Sequence, residues 1–458
     1  MSADTRPPRA ADERPATGAA GVLALLRGLL ARPLASYYLL VSSAGLLLVV
    51  GLVMVFSATS VKAYLTNGNA FTSIERQAIS ACVGLLAFWI CQRLPVRTYR
   101  ALARPGLIVA FVLVGALDML ALLSQVKVLS NPTFGPVRAD ELWLYVGPVQ
   151  VQPSELAKIA LALWVADVLV RKGRRAGSWP DLSRPLFPVA GLLFLLVGYN
   201  DLGTMICLVA LFVGMLWAAG VRLRVFVGMS VAALLGIIAL IYMPGNDYRY
   251  DRLKAFLNPE LHQLGDAYQV REGLFAIANG GWFGVGLGEG KLKWGWLPNG
   301  HNDFIFAVIA EELGVVGCLI VLGLFSVLAY TGLRIARRVT NPYRRLIAAG
   351  VTALIAAQAT INIAGVVGLM PVTGLPLPLI SDGGSALVVT MAMVGMVASF
   401  ARAEPAAAQA LHAAPPGRLA RILWAPLPPR PISTDPASRP APSGLTSEGR
   451  ARREDGAS

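Results

Sequence analysis

The sequence predicts an all-α integral membrane protein of about ten transmembrane helices, with a large extracytoplasmic loop between spans seven and eight. Three observations lead there. Of 458 residues, 55% are hydrophobic and 14% charged, against about a quarter charged in soluble domains. Apolar runs approaching the ~20 residues that cross a bilayer recur, centred on 39–56, 79–91, 107–123, 156–170, 186–197, 204–219, 225–243, 304–333, 346–366 and 385–400. The basic residues alternate from loop to loop. A formal charge of +14 also suits a nucleic-acid binder, but its placement between apolar runs speaks for a membrane and against nucleic acid.

Taken in chain order, residues 1–36 read as a cytoplasmic tail. Up to residue 20 they lack the apolar positions needed to fold. The run 21–34 is interrupted by Arg27 and Arg32 and lacks a following cleavage site, so it reads as an interfacial amphipathic helix and not as a cleavable signal peptide. Residues 37–402 hold the ten spans. Arg93, Arg97, Arg100 and Arg104 lie between spans two and three, Arg171, Lys172, Arg174, Arg175 and Arg184 between four and five, and Arg334, Arg337, Arg338, Arg344 and Arg345 between eight and nine. The turn between five and six and the stretch 368–384 carry no Lys or Arg. Because Lys and Arg in short loops stay cytoplasmic, both termini are expected in the cytoplasm. Cys82, Cys91, Cys207 and Cys318 all fall within spans and suit small packing residues, not a metal or disulfide framework.

Two extracytoplasmic segments are long, 124–152 and 244–301. The second balances six basic residues against six acidic ones, which explains how it crosses. Within it, 268–278 places apolar residues at 270, 274, 275 and 277, a short amphipathic helix on the membrane surface. A glycine-rich run follows at Gly280, Gly281, Gly284, Gly286, Gly288 and Gly290. It is no phosphate loop, because Val285 stands where a Walker glycine is needed and Leu292 where Ser or Thr would bind magnesium. Two readings stay open: backbone amides offered to an anionic headgroup, or a flexible hinge. Residues 403–458 are rich in Pro, Ala and Arg and are expected to be a disordered basic cytoplasmic tail.

Ionisable groups in a span cost about 2.5 to 3.5 kcal/mol each and are functional candidates. Glu155 and Lys158 open span four, three residues apart and so on one helical face. They read either as functional or as an internally paired anchor. Asp303 begins span eight at the water boundary, where burial and a nearby cation such as Lys158 tune its proton affinity; an N-terminal cap is the alternative. Glu311 and Glu312, about 12 Å further along that helix, read as packing or hydrogen-bonding groups, and Asp118, Gln358 and Asn362 as helix–helix hydrogen-bond partners. His301 helps to shape the site, and the other histidines give no ligand cluster with it.

The motifs QPSELAK (152–158), DLGT (201–204), AIANGGWFGVGLGEG (276–290), LPNGHNDFIFAVIAEELG (297–314) and GLPLPLISDGGS (374–385), in this order, resemble the SEDS family (shape, elongation, division and sporulation) over residues 37–402. The start of the first span and the basic tail favour its division type. The resemblance implies a peptidoglycan glycosyltransferase that polymerises lipid II, an undecaprenyl-pyrophosphate-linked disaccharide peptide, at the outer face of the bacterial plasma membrane at the septum. It implies a class B penicillin-binding transpeptidase and divisome proteins as partners. The family's essential carboxylate falls on Asp303 and its intramembrane lysine on Lys158, with Glu155 and His301 supporting. Candidate substrate-binding residues are Gln152, Ser154, Gln269, Gly280, Gly281, Lys291, Lys293 and Ser381. No metal ligands and no cofactor are expected, a divalent-cation dependence apart. Asn302, Asp382 and Tyr199-Asn200 depart from the family pattern. A lipid II flippase, an elongation-type polymerase and a non-catalytic scaffold are the alternatives.

Overall fold

The computed structural model describes residues 30–125, 133–173 except five loop positions, 184–241, 266–291 and 300–415, with short stretches and isolated positions between and beyond. Each of the ten expected spans falls on a helix. These are α1 (Ala35–Asn67), α2 (Thr72–Arg93), α3 (Val96–Gln125), α4 (Pro153–Lys172), α5 (Leu186–Asn200), α6 (Leu202–Ala218), α7 (Leu223–Ile241), α9 (Ile305–Arg338), α10 (Pro342–Val366) and α11 (Ser385–Arg402). α8 (Asp266–Gly280) lies in the long loop, where an amphipathic helix was expected. Among the described residues, six helices, α1 to α3 and α9 to α11, are long and apolar enough to span a membrane. α5 and α6 are shorter, and α4 carries Glu155, Lys158 and Asp167 on buried positions.

Helix ends follow local chemistry. Pro153 and Pro342 occupy the first turns of α4 and α10, where a missing amide costs nothing. Asn341 caps α10 by accepting from the amides of Tyr343 and Arg344, and Asp201 caps α6 through Thr204. Arg171 and Lys172 finish α4, Arg337 and Arg338 finish α9, and Arg402 finishes α11. Helix dipole and loop-charge topology thus place positive charge at the same end of the bundle.

The helices pack α2 on α11, α6 on α10, α3 on α4, and α1 on α9. With lipid as the alternative surroundings, such contacts depend on small residues that let backbones approach. A Cβ on Gly395 of α11 would lie 2.5 Å from the Phe88 carbonyl oxygen of α2, so that crossing requires glycine.

Two further elements lie outside the spans. The loop 124–152 contains an antiparallel meander of β1 (Thr133–Phe134), β2 (Val137–Asp140), β3 (Trp143–Val146) and β4 (Val149–Val151). The segment 403–458, expected to be disordered, starts with α12 (Pro405–Ala413). Ala407 and Ala408 of α12 are buried, Arg402 Nη2 donates to the Ala425 carbonyl at 3.2 Å, and His412 Nε2 lies 2.9 Å from the Pro428 carbonyl. Alanine, with no side-chain entropy to lose, docks where bulkier polar residues would not. The rest of that tail, and most of the expected helix at 21–34, lie outside the described residues.

Candidate active site

The end of the bundle opposite the basic residues carries the polar motifs, and α4 builds its floor. Gln152 is extended ahead of Pro153, so Glu155 and Lys158 enter on consecutive turns of one face. The Lys158 ammonium donates to Glu155 Oε1 at 2.6 Å and to Gln358 Oε1 of α10 at 3.3 Å; Lys158 and Glu155 are 1% and 2% exposed. With its oxygen engaged, Gln358 turns its amide nitrogen to the Pro376 carbonyl at 2.9 Å. One turn on, Asn362 Nδ2 donates to the carbonyls of Leu375 and Asp303, both at 2.7 Å.

Pro376 and Leu375 belong to the irregular segment 367–384, which forms a strap. Irregular backbone at membrane depth survives where protein satisfies its polar groups, and the strap is bolted on both sides. The Leu377 amide donates to Ser381 Oγ at 2.8 Å, and Gln77 Nε2 of α2 donates to the Ser381 carbonyl at 3.1 Å. Leu379, buried, takes φ +65, a left-handed conformation uncommon outside glycine.

The strap and α10 grip the segment before α9 at three successive carbonyls. That of His301 accepts from the Asp382 amide at 3.2 Å, that of Asn302 from Ser381 Oγ at 2.6 Å, and that of Asp303 from Asn362. Asp303 is 8% exposed and lines a small hollow with Ile361, Asn362, Val372 and Leu375. Arg252 Nη1 lies 4.0 Å from the position a Cβ on Gly374 would take, which puts a cation at the rim of that hollow. Burial pushes the His301 imidazole below its ordinary pKa, against the opposing pull of Asp382, and burial raises the Asp382 carboxyl, against His301 and Arg76.

A second small hollow lies between α3, α4 and α5 and is lined by Asp118, Leu142, Ser154, Asn200 and Asp201. Asp201 Oδ1 accepts from the Thr204 amide at 2.8 Å and Oδ2 from Gln152 Nε2 at 3.2 Å. Asn200 Nδ2 donates to Asp118 Oδ1 at 2.7 Å, and the Gln152 amide to Ser385 Oγ at 3.2 Å.

The sequence-derived residues are thus divided. Asp303, His301 and Ser381 meet under the strap, Gln152 and Ser154 stand at the second hollow, and Glu155 and Lys158 form the internally paired anchor. The Lys158 ammonium, expected as a cation near Asp303, is engaged by Glu155 and Gln358. Gln269 is half-buried on α8, which covers Phe304: a Cβ on Gly273 would lie 3.1 Å from that ring. Gly280 and Gly281, the candidate headgroup glycines, lie against α9. A Cβ on Gly280 would lie 1.9 Å from the Ala310 carbonyl oxygen, so close packing requires glycine there, and the Gly281 carbonyl accepts from the Val315 amide at 2.9 Å. The Lys291 amide donates to Glu311 Oε1 at 3.0 Å while its side chain is exposed; Lys293 lies outside the described residues. Glu311 and Glu312 are buried hydrogen-bonding groups, as expected, with Ser57 Oγ on Glu312 at 2.7 Å.

Arg252, Gln77 and Ser57 were missed. Gln77 and Ser57 are polar residues among the first spans and carried that signal; Arg252 was hidden in a loop of balanced charge. Among the described residues no cluster of three or more His, Cys, Asp or Glu is arranged to hold a metal.

A bundle of apolar helices with a strapped carboxylate at one end defines a multi-pass membrane protein. The particular family is plain from comparison: the sequence profile of the FtsW/RodA/SpoVE family, described as cell cycle protein, matches residues 37–405, and the chain belongs to that family, the SEDS proteins. It is 40% identical over 400 residues to a probable peptidoglycan glycosyltransferase FtsW of Mycobacterium tuberculosis, covering 87% of this chain and 74% of the relative. It is 34% identical over 361 residues to stage V sporulation protein E of Bacillus subtilis, covering 78% and 94%. Among solved structures, it matches a chain of a peptidoglycan synthase complex that coordinates polymerization and crosslinking, with TM-score 0.59 and 26% identity over 79% of this chain and 96% of that one. The rod shape determining protein RodA of Thermus thermophilus matches with TM-score 0.54 and 26% identity, over 80% and 97%.

Proposed function

We propose that this chain polymerises lipid II into glycan strands at the outer face of the plasma membrane, in septal wall synthesis, with Asp303 as general base. Its relatives named as FtsW glycosyltransferases support the reaction class. One observation carries the site: the three successive carbonyls of 301–303 are each held by the strap or α10. Fixing the backbone on both sides of a reacting group is how an enzyme lowers the entropy cost of reaching its transition state.

In the reaction, the C4 hydroxyl oxygen of one sugar bonds to the anomeric carbon of a lipid-linked sugar. The bond from that carbon to the pyrophosphate oxygen breaks, and the pyrophosphate leaves with its lipid. Asp303 takes the hydroxyl proton. Pyrophosphate leaves without protonation, so the second carboxylic acid of a glycosidase is not needed, and a single displacement inverts the anomeric centre. Cations stabilise the departing charge; Arg252 at the rim and the exposed Lys291 suit this, whereas Lys158 acts by positioning, through Gln358 and the strap. In this reading the basic helix ends face the cytoplasm and the strap lies outside, where a class B penicillin-binding transpeptidase would crosslink the strands.

The test is polymerisation of purified lipid II in proteoliposomes with that partner, read as glycan length on gels. Asp303→Asn is expected to abolish polymer while melting like the parent. Polymer at the parental rate from Asp303→Asn, or headgroup transfer across the bilayer without polymer by the parent, overturns the proposal.

A further inference from the structure

The glycine-rich run does something that neither the headgroup nor the hinge reading anticipates. Gly314 of α9 is non-helical, with φ 67 and ψ −166, and the chain 281–286 enters the helix at that break. The amides of Val315 and Val316 donate to the carbonyls of Gly281 at 2.9 Å and Trp282 at 3.2 Å. The carbonyls of Glu311 and Glu312, which in an unbroken helix accept from those two amides, accept instead from Val285 at 2.9 Å and Gly286 at 3.1 Å. The exchange is reciprocal, two bonds each way. It demands backbone contact: a Cβ on Gly284 would lie 2.1 Å from the Glu312 carbonyl oxygen, and one on Gly314 2.4 Å from the Gly284 amide nitrogen. This is how irregular backbone becomes tolerable beside hydrocarbon, where no water can satisfy it.

The depth of this junction follows from helix rise. From Arg334, at the basic end of α9, back to Gly314 is twenty residues (334 − 314), about 30 Å at 1.5 Å per residue, the thickness of the hydrocarbon core. The junction therefore lies at the far hydrocarbon boundary, on the Asp303 side. There the loop displays Trp282, 71% exposed, Phe283, 84%, and Leu287, 58%. Directly below, α9 continues with exposed Val315, Val316, Leu319 and Ile320, the apolar stripe of a spanning helix. Tryptophan and phenylalanine capping such a stripe match the chemistry of the membrane interface.

We propose that 280–290 is a lipid-seated re-entrant segment. Its backbone is locked into the break in α9, and Trp282, Phe283 and Leu287 rest in the leaflet on the Asp303 side, at the hydrocarbon boundary. Nine helical residues of α9, 305–313, join this seat to Asp303, so the seat fixes the height of the site, which stands about 14 Å of helix rise away.

The experiment is nitroxide accessibility in vesicles of phosphatidylethanolamine and phosphatidylglycerol, on the full chain without a partner and with Cys82, Cys91 and Cys318 replaced by Ala. Labels go on Phe283→Cys, Leu287→Cys and Glu289→Cys. Collision with oxygen is expected to exceed collision with a water-soluble nickel chelate at 283 and 287, and the ratio to reverse at 289. Nickel accessibility at both 283 and 287 as high as at 289 overturns the proposal. Two lipid-facing positions keep the test decisive should one variant fail to fold, and no readout depends on glycan synthesis.

Discussion

Replacing Lys158 by Met tests the reading of the pair as a buried anchor. The methionine fills nearly the same volume but leaves the Glu155 carboxylate, 2% exposed, without its cation and with Oε2 already lacking a hydrogen-bond partner. Breaking one side of a buried pair costs about 3–5 kcal/mol. Unfolding in mixed micelles followed by far-UV circular dichroism should show a loss of about 3–5 kcal/mol. The double variant Glu155→Gln, Lys158→Met, with no charge left to bury, should recover most of that stability. A Lys158→Met protein as stable as the parent, or a double variant no better than the single, refutes the reasoning.

Two further outcomes follow from the strap. Asn362→Leu leaves the carbonyls of Asp303 and Leu375 without their donor, at about 1–3 kcal/mol each when buried; lipid II polymerisation should fall in kcat more than in KM, with an intact helical spectrum. His301 titrates below 6.5 because burial favours its neutral form, so its contribution to stability is complete above that value and is lost as pH falls toward the depressed one. Asp382→Asn removes the charge that supports imidazolium and should move the His301 carbon NMR titration to still lower pH, while Arg76→Gln should move it up; no change in either variant contradicts the electrostatic assignment.

Much of the site was legible because its signals are local. Asp303 stands at the start of an apolar run, and Glu155 and Lys158 are one turn apart, a separation fixed by helix geometry wherever the helix goes. The partner of Lys158 was not legible, because Gln358 lies two hundred residues away and only packing of α4 on α10 joins them. The packing of the glycine run was not legible for the same reason. Its spacing resembles a loop that binds something, and its purpose appears only against α9, where Ala310, Glu312 and Gly314 leave no room for a Cβ.

By itself the sequence determined that the chain is a multi-pass helical membrane protein, which helix ends are basic, and that Asp303 stands just before the apolar run of α9. These follow from burial energetics and charge placement, which act residue by residue. Tertiary structure alone decided that 301–303 is clamped by a strap from beyond α10, that Lys158 is joined to that strap through Gln358, and that the glycine loop completes a broken helix. In a bilayer every backbone polar group needs a partner, and which partner it finds is a property of the packed bundle.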